Sequence, residues 1–211
     1  MTNTILIADD HSIVRAGIKA LIKDHLDAKQ IDEAASENDI IRQLKATSYN
    51  LVMLDINLPG SDFVKLMEWI RCTSPETRIL IFTMHTAEIY GKRCLQLGAN
   101  GFLNKSASNT EMINALRKVL SGGTYIDETL QQLMTTSPKE NKSGNPFDKL
   151  STRELEIALL INKGLKLPDI CSILNIQYST ANTYKRRIFE KLNVYNALSL
   201  SRLMQTFKID E

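Results

Sequence analysis

The sequence predicts two domains of different class: a doubly wound α/β domain built on a five-stranded parallel sheet, joined by a linker to an all-α domain of four helices. Short apolar runs alternate with helical patterns through residues 1–121. The stretch Thr135–Lys149 (TTSPKENKSGNPFDK) carries two prolines and few apolar residues, the texture of a flexible connection. Beyond it, residues 150–211 hold four short helical patterns and no convincing strand. The expected boundaries are therefore 1–121, a linker over 122–149, and 150–211.

The apolar runs place strands at Thr4–Ala8, Gln30–Ala34, Leu51–Leu54, Ile79–Phe82 and Gly101–Leu103. Helical spacing separates them, as in Ile13, Gly17, Ala20 and Leu21 after the first. Short strands joined by long crossovers pair in parallel and are buried on both faces by helices. Reciprocal caps start two of the helices, Ser36 with Asp39 and Ser108 with Glu111. After Gly122–Gly123 a short helical piece is expected over Tyr125–Met134. In the last domain Leu150, Ser151 and Glu154 form a staple and capping box for the first helix. Pro168–Leu174 and Ser179–Leu192 then make two helices across the short turn Asn175–Tyr178, which is helix-turn-helix spacing.

Composition excludes other classes. The chain has 211 residues, is 43% hydrophobic and 24% charged, and is neither disordered nor disulfide-dense. Cys72, Cys94 and Cys171 are scattered, with no zinc spacing. No run of 18 apolar residues and no basic leader with a long apolar core occurs, so a cytoplasmic protein without a membrane partner is expected. The net charge of +2 hides an asymmetry: residues 1–121 balance at 14 basic and 14 acidic groups, while residues 150–211 hold nine against six. Lys185, Arg186, Arg187 and Lys191 crowd one helix, a local basic stripe of the kind that meets nucleic acid.

In a doubly wound sheet, ligands bind at the carboxyl ends of the strands. Asp9 and Asp10 stand there after the first strand, Asp55 after the third, Thr83 after the fourth and Lys105 after the fifth. Three carboxylates at one rim repel unless a cation lies among them, and hard oxygen donors in an incompletely closed set suit Mg²⁺. A carboxylate can itself accept a phosphoryl group. Such a transfer needs a metal, a cation and donors on the phosphoryl oxygens, and Lys105 and Thr83 supply the last two.

The blocks ILIADDHSIVRAGI, LVMLDINLPGSD, ILIFTMHTAE and GANGFLNKSA resemble those of response-regulator receiver domains, which have a flavodoxin-like fold. The resemblance implies that Asp55 is the phosphoacceptor. It also implies that Asp9, Asp10, Asp55 and the backbone carbonyl of Asn57 hold Mg²⁺, that Thr83 and Lys105 meet the phosphoryl oxygens, and that Phe102 is an aromatic switch. One residue departs from the family pattern: Phe63 stands eight positions after Asp55, where receivers usually carry glycine.

On the second helix of the helix-turn-helix, Ala181, Ile188 and Leu192 share an inward face, with Tyr184 and Lys185 at its flanks. Asn182, Thr183 and Arg186 share an outward face, where an amide, a hydroxyl and a guanidinium can meet base edges in a major groove. Thr180, Arg187 and Lys191 are placed for phosphates. The stretches LSTRELEIALLINKG and TANTYKRRIFEKL resemble the LuxR-type output domain, so the whole chain resembles NarL/FixJ-family response regulators. That family implies a sensor histidine kinase as phosphodonor, double-stranded DNA as target, a homodimer and no enzymatic turnover. Tyr184, at the position of a family histidine, joins the expected DNA-contacting set. Gln177 replaces the family's serine and is a poor N-cap, so Ser179 is expected to cap this helix instead.

Overall fold

The computed structural model describes residues 3–126, 130–131, 145–207 and 209. The chain divides into two compact units, Met1–Thr136 and Ser137–Glu211.

The first unit is a five-stranded parallel sheet in the order β2-β1-β3-β4-β5. Its strands are β1 (Asn3–Ala8), β2 (Ala28–Ala34), β3 (Leu51–Leu54), β4 (Arg78–Thr83) and β5 (Gly101–Asn104). Helices α1 (Ser12–His25), α2 (Glu37–Ala46), α3 (Phe63–Thr73), α4 (Lys92–Gln96) and α5 (Asn109–Leu120) connect or follow them. A π-helical turn, Ala87–Gly91, leads into α4. Ile5, Ile7, Leu51, Met53, Leu80, Phe82 and Leu103 pack in one core with Ile18 and Ile22 of α1 and Met112, Leu116 and Val119 of α5. The alternate residues Leu6, Ala8, Val52, Leu54, Ile79, Ile81 and Phe102 are buried too. A pleated strand sends them to the opposite face, as a sheet covered on both sides requires.

Strand β2 begins two residues before its expected start at Gln30, because Ala28 pairs with Asn3 across a register shift. Ser36 caps α2 through Asp39 N (3.2 Å), and the Asp39 carboxylate returns to Ala35 N (3.3 Å) and Ser36 Oγ (2.8 Å). The cap of α5 is one-sided: Ser108 Oγ accepts from Glu111 N (3.2 Å), but the Glu111 carboxylate accepts instead from Tyr125 Oη (3.1 Å). Phe63 is the first residue of α3, behind the N-cap Asp62, and lies buried with Leu66, Met67 and Ile70.

Tyr125 does not open a helix. It bridges Gly101 in parallel, taking a hydrogen bond from Phe102 N (3.1 Å) and giving one to Asn100 O (3.0 Å). The remainder of the expected Tyr125–Met134 helix lies largely outside the described residues, though Leu130 and Gln131 are helical. Of the expected linker, residues 135–144 lie outside them as well. Its last residues are folded: Pro146–Lys149 form a 3-10 turn and Phe147 is buried edge-on to Phe207 at 6.2 Å.

The second unit adds α6 (Thr152–Asn162), α7 (Leu167–Leu174), α8 (Tyr178–Leu192) and α9 (Ala197–Thr206). The capping box of α6 is complete, with Ser151 N giving to Glu154 Oε2 (2.6 Å) and Glu154 N to Ser151 Oγ (3.2 Å). Asn175 closes α7 in the left-handed region (φ 49°), a conformation asparagine tolerates better than most side chains. The turn to α8 is thereby shortened to Asn175–Gln177. Ser179 is inside α8 rather than its cap, and the N-cap Gln177 makes no side-chain capping hydrogen bond. The carbonyl of Ser179 accepts instead from Thr183 Oγ1 (2.8 Å).

Candidate functional site

Register builds the first site. Ala8 pairs with Leu54, so Asp9 and Asp55 emerge side by side from neighbouring strands, and Asp55 N gives to Ala8 O (2.9 Å). Thr83 pairs with Asn104, which sets Lys105 one step beyond, its N–H given to Thr83 O (2.8 Å). Asp9, Asp55 and Thr83 are buried at 2%, 4% and 0% exposure. The Lys105 ammonium lies 2.6 Å from Asp9 Oδ2 and 2.7 Å from Asp55 Oδ2. Burial pushes that ammonium down, but the hydrogen bonds and charges of Asp55 and Asp9 outweigh it and hold its pKa above the usual lysine range.

Asp10 is half-buried and lies beside His11, whose Nδ1 is 2.7 Å from Asp10 Oδ1 and 3.2 Å from Asp9 Oδ1. Asp9, Asp10 and His11 can together offer three ligand atoms within 4.8 Å. Asp9 Oδ2 and Asp10 Oδ1 are buried and accept no hydrogen bond of good geometry among the described residues, although the Lys105 ammonium and the His11 ring stand close to them. Buried carboxylate oxygens are costly when left so, and this donor set fits a hard divalent cation such as Mg²⁺. Receiver-type acidic pockets in general use that ion.

Three residues around the pocket escaped the sequence reading. Arg15 gives to the Asp9 carbonyl (2.7 Å) and to Glu33 (3.1 Å), which Lys19 also holds (2.8 Å). The ring of His85 meets the Asn57 side chain at 2.9–3.1 Å and stacks on Tyr90, centroids 4.3 Å apart. His11 could have been suspected from its place beside two acids, but the Arg15 and His85 contacts join distant elements and leave no local signal. Asn57 N gives to Asp55 Oδ1 (3.2 Å), tying the β3–α3 turn to the carboxylate. Phe102, the aromatic that the resemblance names as a switch, is 1% exposed and already lies inside.

The second site is the outer face of α8. Ala181, Ile188 and Leu192 are buried, while Thr180, Asn182, Thr183, Arg186 and Arg187 are exposed and Tyr184 is half-buried. The inward and outward faces fall where spacing put them. Lys191 differs: its ammonium lies 2.5 Å from Glu154 Oε2, a carboxylate only 3% exposed.

Residues 5–117 match the response regulator receiver domain, and residues 148–204 match the bacterial regulatory proteins of the luxR family. The chain is a two-component response regulator. Its output half is a LuxR-type DNA-binding domain, and the family is one of transcription factors rather than enzymes. This response regulator is 35% identical over 200 residues to response regulator UvrY of Escherichia coli O6:H1, covering 94% of this chain and 92% of that one. It is 31% identical to response regulator GacA of Pseudomonas aeruginosa, covering 94% of each. Among solved structures it resembles the RcsB response regulator of Salmonella typhimurium, at 25% identity and a TM-score of 0.60 over 98% of this chain and 100% of that one. No described helix of the regulator is long and apolar enough to cross a membrane.

Proposed function

We propose that this response regulator takes a phosphoryl group on Asp55 from a sensor histidine kinase and that the modification governs its binding to specific DNA. The observation that carries the reading is the half-buried ammonium of Lys105, shared between Asp9 and Asp55. In the transfer, a carboxylate oxygen of Asp55 forms the new bond to phosphorus as the bond to the kinase imidazole breaks and that imidazole leaves. Asp9, Asp10, Asp55 and the carbonyl of Asn57 would hold Mg²⁺, which supplies charge neutralisation on the phosphoryl oxygens. Lys105 would move with the new dianion as its ion-pair partner, and the Thr83 hydroxyl would turn to it as a donor. The aspartyl phosphate would carry about −1.5 to −2 charge units where the Asp55 carboxylate carried one, so about one unit of negative charge is added and moved outward, beside Thr83 and Lys105. The β4–β5 packing around Thr83 and Phe102 is the bistable element this biases.

At the DNA, Asn182, Thr183 and Arg186 would meet base edges, with Tyr184 beside them. Thr180, Arg187 and Lys191 would meet phosphates, Lys191 by partly leaving Glu154. Two copies of the chain, acting in the cytoplasm, would read two half-sites as a homodimer.

Intact-mass measurement after incubation with Mg²⁺ and acetyl phosphate tests the switch. One phosphoryl adduct that needs Mg²⁺ and vanishes in Asp55→Asn is expected. An adduct that persists in Asp55→Asn would remove Asp55 from its role.

A further inference from the structure

His11 stands at the N-cap of α1, where its side chain makes no capping hydrogen bond. Its backbone N–H is given to Asp9 Oδ1 (2.8 Å), and this short turn brings the imidazole to the two carboxylates that precede it. Nδ1 lies 3.2 Å from Asp9 Oδ1 and 2.7 Å from Asp10 Oδ1. The nearer contact is not a hydrogen bond, because Asp10 Oδ1, although buried, has no aligned partner among the described residues. The nitrogen and that oxygen therefore lie side by side rather than head to head.

Two donors so placed can give their lone pairs to one acceptor between them. Donors held about 2.0–2.1 Å from a single ion, at right or tetrahedral angles, stand about 3 Å apart. Both distances from the His11 nitrogen are close to that spacing. Asp9 completes the group, whose three ligand atoms lie within 4.8 Å of one another. The Asp9 carboxylate, 2% exposed, is fixed from behind by Lys105 (2.6 Å). The imidazole is 64% exposed and Asp10 29%, so the group opens to solvent, where an ion can enter and keep water on its remaining positions.

Donor type then decides which ion gains most. Mg²⁺ takes oxygen ligands and keeps several waters, so an added nitrogen offers it little. Imidazole suits the later first-row divalent ions, whose affinity for such sites rises from Mn²⁺ through Co²⁺ to Ni²⁺. We infer that His11 is a nitrogen ligand beside Asp9 and Asp10, and that it makes the receiver pocket prefer a late first-row divalent ion to Mg²⁺. The inference rests on the reading of this pocket as one that binds a metal.

Calorimetric titration of the full chain with Mg²⁺ and, separately, with Co²⁺ tests it, together with proton NMR of the Co²⁺ form. One variant is His11→Asn, which removes the imidazole and supplies a better N-cap. The other is His85→Gln, because the His85 ring meets the Asn57 side chain and is the second imidazole near the pocket. The wild type should bind Co²⁺ about a hundredfold more tightly than Mg²⁺. Its Co²⁺ form should show imidazole ring protons shifted far outside their ordinary range by the paramagnetic ion. His11→Asn should lose about tenfold in Co²⁺ affinity with little change for Mg²⁺, and should lose the shifted protons. His85→Gln should keep both. A histidine that only pairs with the acids competes with any cation for them, so its removal would leave both affinities unchanged or raise both. That result overturns the inference, as do equal losses for the two ions, or shifted protons that survive in His11→Asn and vanish in His85→Gln. Mg²⁺ binding to the wild type without a preference for Co²⁺ overturns the inference alone. Binding of neither ion overturns the metal reading of the pocket, and the inference with it.

Discussion

Arg186 is 73% exposed on the outer face of α8, and its ion-pair partner among the described residues is Glu190, a loose 3.8 Å away and 66% exposed. So free a guanidinium carries no structural duty, and its planar fork suits the acceptor edge of guanine. Arg186→Ala should cost about 1–3 kcal/mol of specific binding and relax discrimination at one base position. Arg187→Ala should weaken all sequences alike and lower the salt dependence by about one counterion. Binding-site selection at two salt concentrations separates them, and unchanged discrimination in Arg186→Ala would take that residue off the base edges. The residues of the pocket were legible one by one because Asp9, Asp55, Thr83 and Lys105 each end or follow an unmistakable apolar strand. Contacts made across elements were not: Arg15 on the Asp9 carbonyl, His85 on Asn57 and Lys191 on Glu154 join segments whose proximity only the fold creates.

The start of α6 packs a charged pair into the second unit, where Glu154 caps the helix and also takes Lys191 from α8. Burial pushes the Glu154 carboxyl up, but the Lys191 hydrogen bond, the Ser151 amide and the Lys191 charge outweigh it, and its pKa lies below the usual glutamate range. A carboxyl lowered by folding contributes stability that is complete above about pH 4.3, its unfolded value, and is lost as pH falls through the folded one. The second unit should therefore lose thermal stability from about pH 5 downward. Glu154→Gln, which keeps the cap but not the charge, should flatten that slope. Trp69, the sole tryptophan, lies in α3, so its fluorescence follows the first unit while helical circular dichroism follows both. An identical acid slope in the variant would show that the pair contributes nothing. Elements were legible in proportion to how local their causes are. The four-residue β3 is wholly apolar and unmistakable, and the Ser151–Glu154 box reads directly. The early start of β2 depends on pairing with Asn3, the true start of α8 on the left-handed Asn175, and the single bridge of Tyr125 on an edge strand distant in sequence. None of these leaves a periodic signal.

Each unit has its own core, and one chain presents one reading helix. A homodimer with two such helices should prefer DNA whose half-sites are about 10–10.5 base pairs apart, centre to centre, over the same half-sites moved by half a turn. Competition between such duplexes for the phosphorylated protein checks this, and equal affinity at both spacings would argue for independent heads. The split between the two faces of α8 bears also on how such a protein can change over generations. Ala181, Ile188 and Leu192 hold the helix in place, while Asn182, Thr183 and Arg186 face outward with little to do for the fold. If the outer positions meet base edges as proposed, exchanges there would redirect the regulator to other promoters one residue at a time. The receiver pocket allows no such drift, because one lysine serves two acids there and each of the three sets the terms for the others. Inheritance can thus vary the message while conserving the trigger.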